Sequence, residues 1–123
     1  MTPRCCRAWL VVLLASGCSG DPYRFDQPRG AADVEIAPYE MREECVALDR
    51  GAGVDFYFVS TLPIAFSISY HQGNALILPV VREHATSESG AFAADHEDVY
   101  CLRWKAGIQG SILEYRLRPL APR

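Results

Sequence analysis

Eight consecutive residues, Ile64 to His71, alternate without exception. Ile64, Phe66, Ile68 and Tyr70 fall on one side, and Ala65, Ser67, Ser69 and His71 on the other. Side chains of an extended chain project to opposite faces in turn, so this period of two predicts a strand with one face buried and excludes the 3.6-residue stripe of a helix. The pattern recurs in Val54, Phe56 and Phe58, and again in Leu113, Tyr115 and Leu117, which alternate with Glu114 and Arg116. Val34–Ile36, Glu44–Leu48 and Val99–Trp104 read as further strands, and Phe92 with its neighbours as a short one. Ala75–Arg82 is apolar and β-branched but contains Pro79, which cannot donate to a ladder and so predicts a broken, bulged or edge strand. Asp49–Gly53, Gln72–Asn74 and Lys105–Gly107 carry the glycines of turns, and no helical period of useful length follows residue 18. Seven or eight short strands at near-regular spacing predict an all-β fold, a small antiparallel β-sandwich.

The start of the 123-residue chain is built differently. Arg4 and Arg7 precede an apolar run, Ala8–Ala15, and then come Ser16-Gly17-Cys18. A basic head, a short apolar stretch and small residues before a cleavage point predict a signal helix over 1–17 that is removed on export. The run is too short to span a bilayer core, which takes ~20 apolar residues, and no later stretch is longer. Ala15-Ser16-Gly17-Cys18 resembles the lipobox of bacterial lipoproteins, with Ala15 where a larger aliphatic residue is usual and Leu14 one place earlier. The resemblance implies a lipid such as palmitate on Cys18, and anchoring by more than one acyl chain at ~0.8 kcal/mol per buried CH₂. Ser19 after the cysteine points to the outer membrane, facing the periplasm. The competing reading is an ordinary signal peptide with Cys18 left as a free thiol. Residues 18–32, rich in Gly, Pro, Asp and Arg, read as a lipidated terminus and flexible tether, and 33–123 as the domain. Tyr23 and Phe25 leave open a segment packed along that domain.

Cleavage also removes Arg4 and Arg7, so 12 basic residues become 10 against 15 acidic ones, a net charge of −5. An acidic chain without a Lys/Arg cluster argues against nucleic acid as a partner. Cys5 and Cys6 leave with the signal segment. Cys45 and Cys101 then remain in an oxidising compartment, where a disulfide is expected. Two free buried thiols, or half of a metal site, are the alternatives, and no Cys-x-x-Cys spacing exists. If Tyr100, Leu102 and Trp104 face the core, Cys101 faces outward, which conflicts with a buried bridge.

Chemistry is harder to find. His71, His84 and His96, with nearby acids, are weak candidates for metal ligands, and their spacings match no standard motif. No Gly-x-Ser-x-Gly is present, and Gly110-Ser111 reads as a turn into a strand. No enzyme, cofactor or catalytic residue is therefore predicted. Tyr57, Tyr100, Trp104 and Tyr115 offer either an exposed binding patch or core, and core is the expectation for most of them, with Trp104 covering one end.

Glu44-Cys45, the strands Val54–Val59 and Ile64–Tyr70, Gly90-Ala91-Phe92, Tyr100-Cys101-Leu102-x-Trp104 and Leu113-x-Tyr115 together resemble the GOLD (Golgi dynamics) domain. The resemblance implies a jelly-roll or GOLD-like sandwich with one disulfide between Cys45 and Cys101. It also implies a role in binding proteins. The coiled coil and membrane helix of the eukaryotic family members have no counterpart here. The resulting expectation is a lipid-anchored envelope module, held to the membrane through Cys18 and binding a protein partner. A small-ligand or metal-binding lipoprotein is the alternative.

Overall fold

A computed structural model describes residues 20–122; the expected signal segment 1–17 and the lipid site Cys18 lie outside the described residues. The chain forms an all-β, antiparallel, curled sheet of six strands: β1 (Arg29–Ile36), β2 (Met41–Leu48), β3 (Gly53–Gln72), β4 (Ala75–Ala93), β5 (Asp98–Ala106) and β6 (Ser111–Leu120). Their order is β1-β6-β3-β5-β2, with β4 on the other edge of β3.

Two strands are far longer than expected, which corrects the count of seven or eight to six. Val54–Val59 and Ile64–His71 are the two arms of β3, joined through Ser60–Pro63. The first arm pairs with β6 as far as Ser60↔Leu113, and the second pairs with β5 from Ile64↔Ala106 onward. Along its other edge β4 follows the same bend, Val59 facing Ser87 and Ile64 facing Ala85. Four residues of β3 thus lie opposite Thr86 alone, and the sheet turns over on itself there. β4 likewise fuses the expected strands at Ala75–Arg82 and Phe92 through Glu83–Ala91, a polar stretch. The half-buried positions of that stretch are Ala85, Glu88 and Gly90, so no large apolar side chain alternates to betray the strand. Pro79 sits on this edge, in a bulge between the pairs Ile68↔Val80 and Tyr70↔Ile77, as its missing donor requires. Gly73 (φ 61°) takes the first central place of the two-residue turn between β3 and β4, where glycine meets no steric cost.

The bend interrupts a ladder, and hydroxyls replace it. Leu62 N–H donates to Ser111 Oγ (3.1 Å), Ile112 N–H to Thr61 Oγ1 (3.0 Å) and Ser60 Oγ–H to Leu62 O (2.6 Å), while the Ser60 and Ser111 hydroxyls bond each other. Both serines are buried, so unpaired backbone groups at this place would each cost about 1–3 kcal/mol.

Curling brings the inward faces together. Val54, Phe56 and Phe58 from the first arm of β3 meet Ile64, Phe66 and Ile68 from the second, with Phe58 and Phe66 centroids 4.8 Å apart. Trp104 of β5 stacks on Tyr115 of β6 at 4.6 Å. Trp104 therefore lies at the centre of the core and does not cover an end; its Nε1–H has no partner, and packing alone holds the ring. The Tyr115 hydroxyl reaches through to β2, donating to Glu44 and accepting from Arg42 (2.8 Å).

The segment expected to be a tether is partly built into the sheet. β1 begins at Arg29, four residues before the predicted domain start, and Tyr23 O accepts from Ala47 N–H on β2 (2.7 Å). Arg29 is a clasp: its guanidinium donates to Cys45 O (3.0 Å), Pro22 O (3.2 Å), Arg24 O (2.8 Å) and Glu44 Oε1 (3.2 Å), and lies over the Phe25 ring. Of the two readings of this segment, packing along the domain holds from Pro22 on.

Cys45 and Cys101 form a disulfide between directly paired residues of β2 and β5, with Cα atoms 4.0 Å apart. Tyr100, Leu102 and Trp104 do face inward, so the bridge lies half-buried on the outer face, which resolves the conflict noted above.

Arg29→Ala should detach Pro22–Phe25 and lower stability by about 2–3 kcal/mol, since hydrogen bonds to charged groups contribute ~1.5–3 kcal/mol. Denaturant midpoints, with faster proteolysis at Arg24, check this. Reduction of the disulfide, which joins residues 56 apart, should cost up to about 4 kcal/mol. That corresponds to a fall on the order of 10 °C or more in Tm; an unchanged midpoint in reductant would contradict it.

Candidate functional site

The strands run between two ends. β1 and β5 climb to one end and β2 and β6 return from it, so the turns Ala37–Glu40 and Gly107–Gly110 sit there beside the bend of β3. This loop end carries the most exposed apolar side chains of the described residues: Ile108 is 71% exposed, Tyr39 61% and Met41 53%. Ile112 and the half-buried Leu62 adjoin a shallow depression of about 460 Å³ between the turns and the bend.

The backbone here is held in costly conformations. Tyr39 has φ 64°, in the left-handed region that bulky residues rarely enter, at a cost on the order of 1–3 kcal/mol. Three backbone bonds hold it: Tyr39 N–H to Gly107 O (3.1 Å), Glu40 N–H to Ala37 O (2.9 Å) and Ala106 N–H to Glu40 O (3.0 Å). They lace one turn to the other. Gly110 (φ 71°) completes the lacing, because a Cβ there would stand 2.7 Å from Ile36 O. The result is a set of exposed apolar side chains on turns whose backbone is held in place, so that little loop ordering is needed on contact. Tyr39, Met41 and Ile108 carry no sequence signal of their own, and only the turn signals at Lys105–Gly107 and Gly110-Ser111 mark the region.

A second concavity, an open groove of about 650 Å³, lies over the outer face where β1, β6 and β3 meet. Tyr57, Asp55, Glu114, Arg116 and Arg118 line it. Asp55 pairs with Arg118, and Arg116 with Glu114 (3.2 Å), so its charges are largely satisfied among themselves. Of the four aromatics weighed as a binding patch, Tyr57 alone is exposed; Tyr100, Trp104 and Tyr115 are core. Burial pushes the Tyr115 hydroxyl above its ordinary pKa, and the Glu44 carboxylate adds to the rise.

The three histidines are scattered. His71 lies near the β3–β4 turn, and His84 on β4 is eight residues beyond Leu76, the partner of His71, about 25 Å along the strand. His96 lies in the β4–β5 loop, clamped between Asp95 (Nδ1–Oδ1, 2.7 Å) and Asp98 (Nε2–Oδ2, 3.0 Å). Its ring packs edge-on to Tyr70, and the Tyr100 hydroxyl donates to its carbonyl (2.8 Å). Burial and the nearby Asp95 push Tyr100 up to about 12. The one three-residue cluster of metal-type ligands among the described residues is Glu43, Cys45 and Cys101. Both of its sulfurs are committed to the disulfide, and Glu43 pairs with Arg103. The Ser60 and Ser111 hydroxyls, though close together, serve the bend and have no histidine beside them.

No protein-family model matches the chain, and no curated protein matches it in sequence.

The His96 clamp makes a pH prediction. Hydrogen bonds donated by the His96 ring to Asp95, then to Asp98, raise the His96 pKa, and the bond accepted from His96 lowers that of Asp95. A raised histidine contributes stability that is complete below its unfolded pKa of about 6.5 and is lost as pH climbs through the folded value. A lowered aspartate contributes above about 3.9 and loses it as pH falls through its folded value. The difference in Tm between wild type and His96→Gln should therefore be widest between about pH 4 and 6.5 and shrink steadily towards pH 9. A constant difference across that range would contradict the clamp.

Proposed function

We propose that the chain is a lipid-anchored protein of the bacterial cell envelope whose domain is a non-catalytic protein-interaction module. The observation that carries this reading is the loop end. Tyr39, Met41 and Ile108 are exposed on turns that the backbone holds rigid, and aromatic and Met side chains are enriched where proteins meet. An outlier such as Tyr39, kept at positive φ against its steric preference, motivates a functional assignment. Loop clusters on a rigid sheet are a frequent location for binding.

Anchoring is assigned to a lipid on Cys18 by the lipobox-like Ala15–Cys18, with the outer membrane, periplasmic side, as its location. The first sheet-like contact of the chain, at Tyr23, lies at the end opposite the loops, so a lipid at Cys18 would turn the loop end away from the bilayer. We also read the curled sheet as a sandwich of the jelly-roll or GOLD-like type. Its bent strands supply four arms, which with β1, β2, β5 and β6 make eight, and the disulfide joins Cys45 and Cys101 as that resemblance implies. A second reading, binding of a small ligand, is favoured by the size of the outer groove, since ligand pockets commonly span about 300–1,000 Å³.

A photo-cross-linking residue at position 108, placed in the full chain in its native envelope, should capture a protein partner reproducibly. Tyr39→Gly should reduce that capture about tenfold while raising stability by about 1 kcal/mol through relief of the left-handed strain. No enrichment over an unrelated lipoprotein, or capture indifferent to Tyr39→Gly, would count against the proposal.

A further inference from the structure

We infer that the end of the β3–β4 hairpin is a second membrane contact, seated in the same bilayer surface as the lipid on Cys18. The inference rests on the anchoring reading above and adds a surface to it. From Phe56 to Val81 the chain contains no Asp, Glu, Lys or Arg, although 22% of all residues are charged. Much of that segment is core, but its end is not. Leu76, Leu78 and Val81 are 40%, 43% and 48% exposed, on an edge strand that pairs with β3 alone. A long apolar edge left open to water is a template for unwanted pairing, and Pro79 with its bulge blunts this one against another strand, which leaves its outward side chains as the contact surface.

The topology says what lies beside it. Leu76 pairs with His71, and the β3–β5 register, continued from Ser69↔Cys101, sets His71 beside Val99. Val99 pairs with Ala47, and Ala47 N–H donates to Tyr23 O. Leu76, His71, Val99, Ala47 and Tyr23 thus form one row across the sheet, four strand spacings or about 19 Å wide. Contacts of Tyr70 with Tyr100 and His96 confirm that the hairpin stays on this end. Cys18 is five residues from Tyr23, so a lipid there lies within about 18 Å of the row even if the chain is fully extended. The lipidated terminus and the uncharged apolar hairpin therefore leave the domain from the same end.

A bilayer interface suits such a surface: Leu, Ile and Val side chains enter the acyl boundary, while Tyr23, 44% exposed, fits the headgroup level. Asp49, Asp95, Glu97 and Asp98 stand at the same end, with Asp95 and Asp98 paired to His96, so the surface is acidic and a zwitterionic bilayer is its natural substrate. The domain would then stand upright on the membrane, loop end outward.

The test uses the full, lipidated chain reconstituted in vesicles of phosphatidylethanolamine and phosphatidylcholine with brominated acyl chains. Trp104 is buried, so a tryptophan placed at Leu76 reports its own surroundings. A side chain seated about 5–10 Å into the interface should make L76W lose on the order of half its emission to the bromines, whereas T86W, at the bend of β4, should lose little. Equal quenching of the two overturns the inference. So does an unquenched L76W that cross-links to a second copy or to another protein. Mass analysis of Cys18 in the same sample separates the failures. Without acylation the anchoring reading falls and takes this inference with it, whereas acylation with an unquenched L76W overturns the hairpin contact alone.

Discussion

The bend at Ser60–Pro63 is the constraint from which the rest follows. A twenty-residue strand that ran straight would span more than 60 Å at about 3.3 Å per residue, far beyond the size of a domain this small. By turning at Ser60–Pro63, β3 pairs with β6 along one arm and with β5 along the other, and the two apolar faces close on each other. The turn breaks the ladder, which is tolerable only because Ser60, Thr61 and Ser111 supply hydroxyls to the orphaned backbone groups. The buried Ser60 and Ser111 are thus structural partners of the backbone.

Closure of the curl depends on polar groups as much as on the core. β1 and β2 lie at opposite ends of the strand path, yet Arg29 and Glu44 join them, and Tyr115 passes its hydroxyl from the core to Glu44 and Arg42. These groups are half-buried, and each charge has a partner, so the seam avoids the penalty of an isolated buried charge. The same clasp holds Pro22–Phe25 against the sheet. The terminus enters the sheet there, and the turns Ala37–Glu40 and Gly107–Gly110 cluster at the opposite end.

Much of the fold was legible because burial on one face of a strand imposes a period of two. Val54, Phe56, Phe58, Ile64, Phe66, Ile68, Leu113, Tyr115 and Leu117 are all core, as their alternation predicts. The edge placement allowed for Pro79 follows from a missing N–H and needs no neighbour to reveal it. Glu83–Ala91 was not legible as strand, since its half-buried positions are Ala85, Glu88 and Gly90 and carry no large apolar side chain to mark the period. Nor was the joining of two runs through Ser60–Pro63, because a bend with its own hydroxyl partners reads as a loop. The exposed loop end was invisible for a related reason: Tyr39, Met41 and Ile108 have no period, and their exposure exists only once two distant turns are laced together.

Alternation, a local property, carried the all-β class and the inward and outward faces of β3 and β6. The small number of cysteines made a Cys45–Cys101 bridge the expectation over free thiols or a metal site, and the structure shows that bridge. Tertiary structure alone decided that the bridge lies on the outer face, that eight arms make six strands, and that the clasp of Arg29 ties down the segment expected to be free. It also decided that the histidines lie apart while Tyr39 and Ile108 lie together. Each of these depends on which residues distant in the chain become neighbours, and that is set by the curl of the sheet, a property no short stretch of sequence carries.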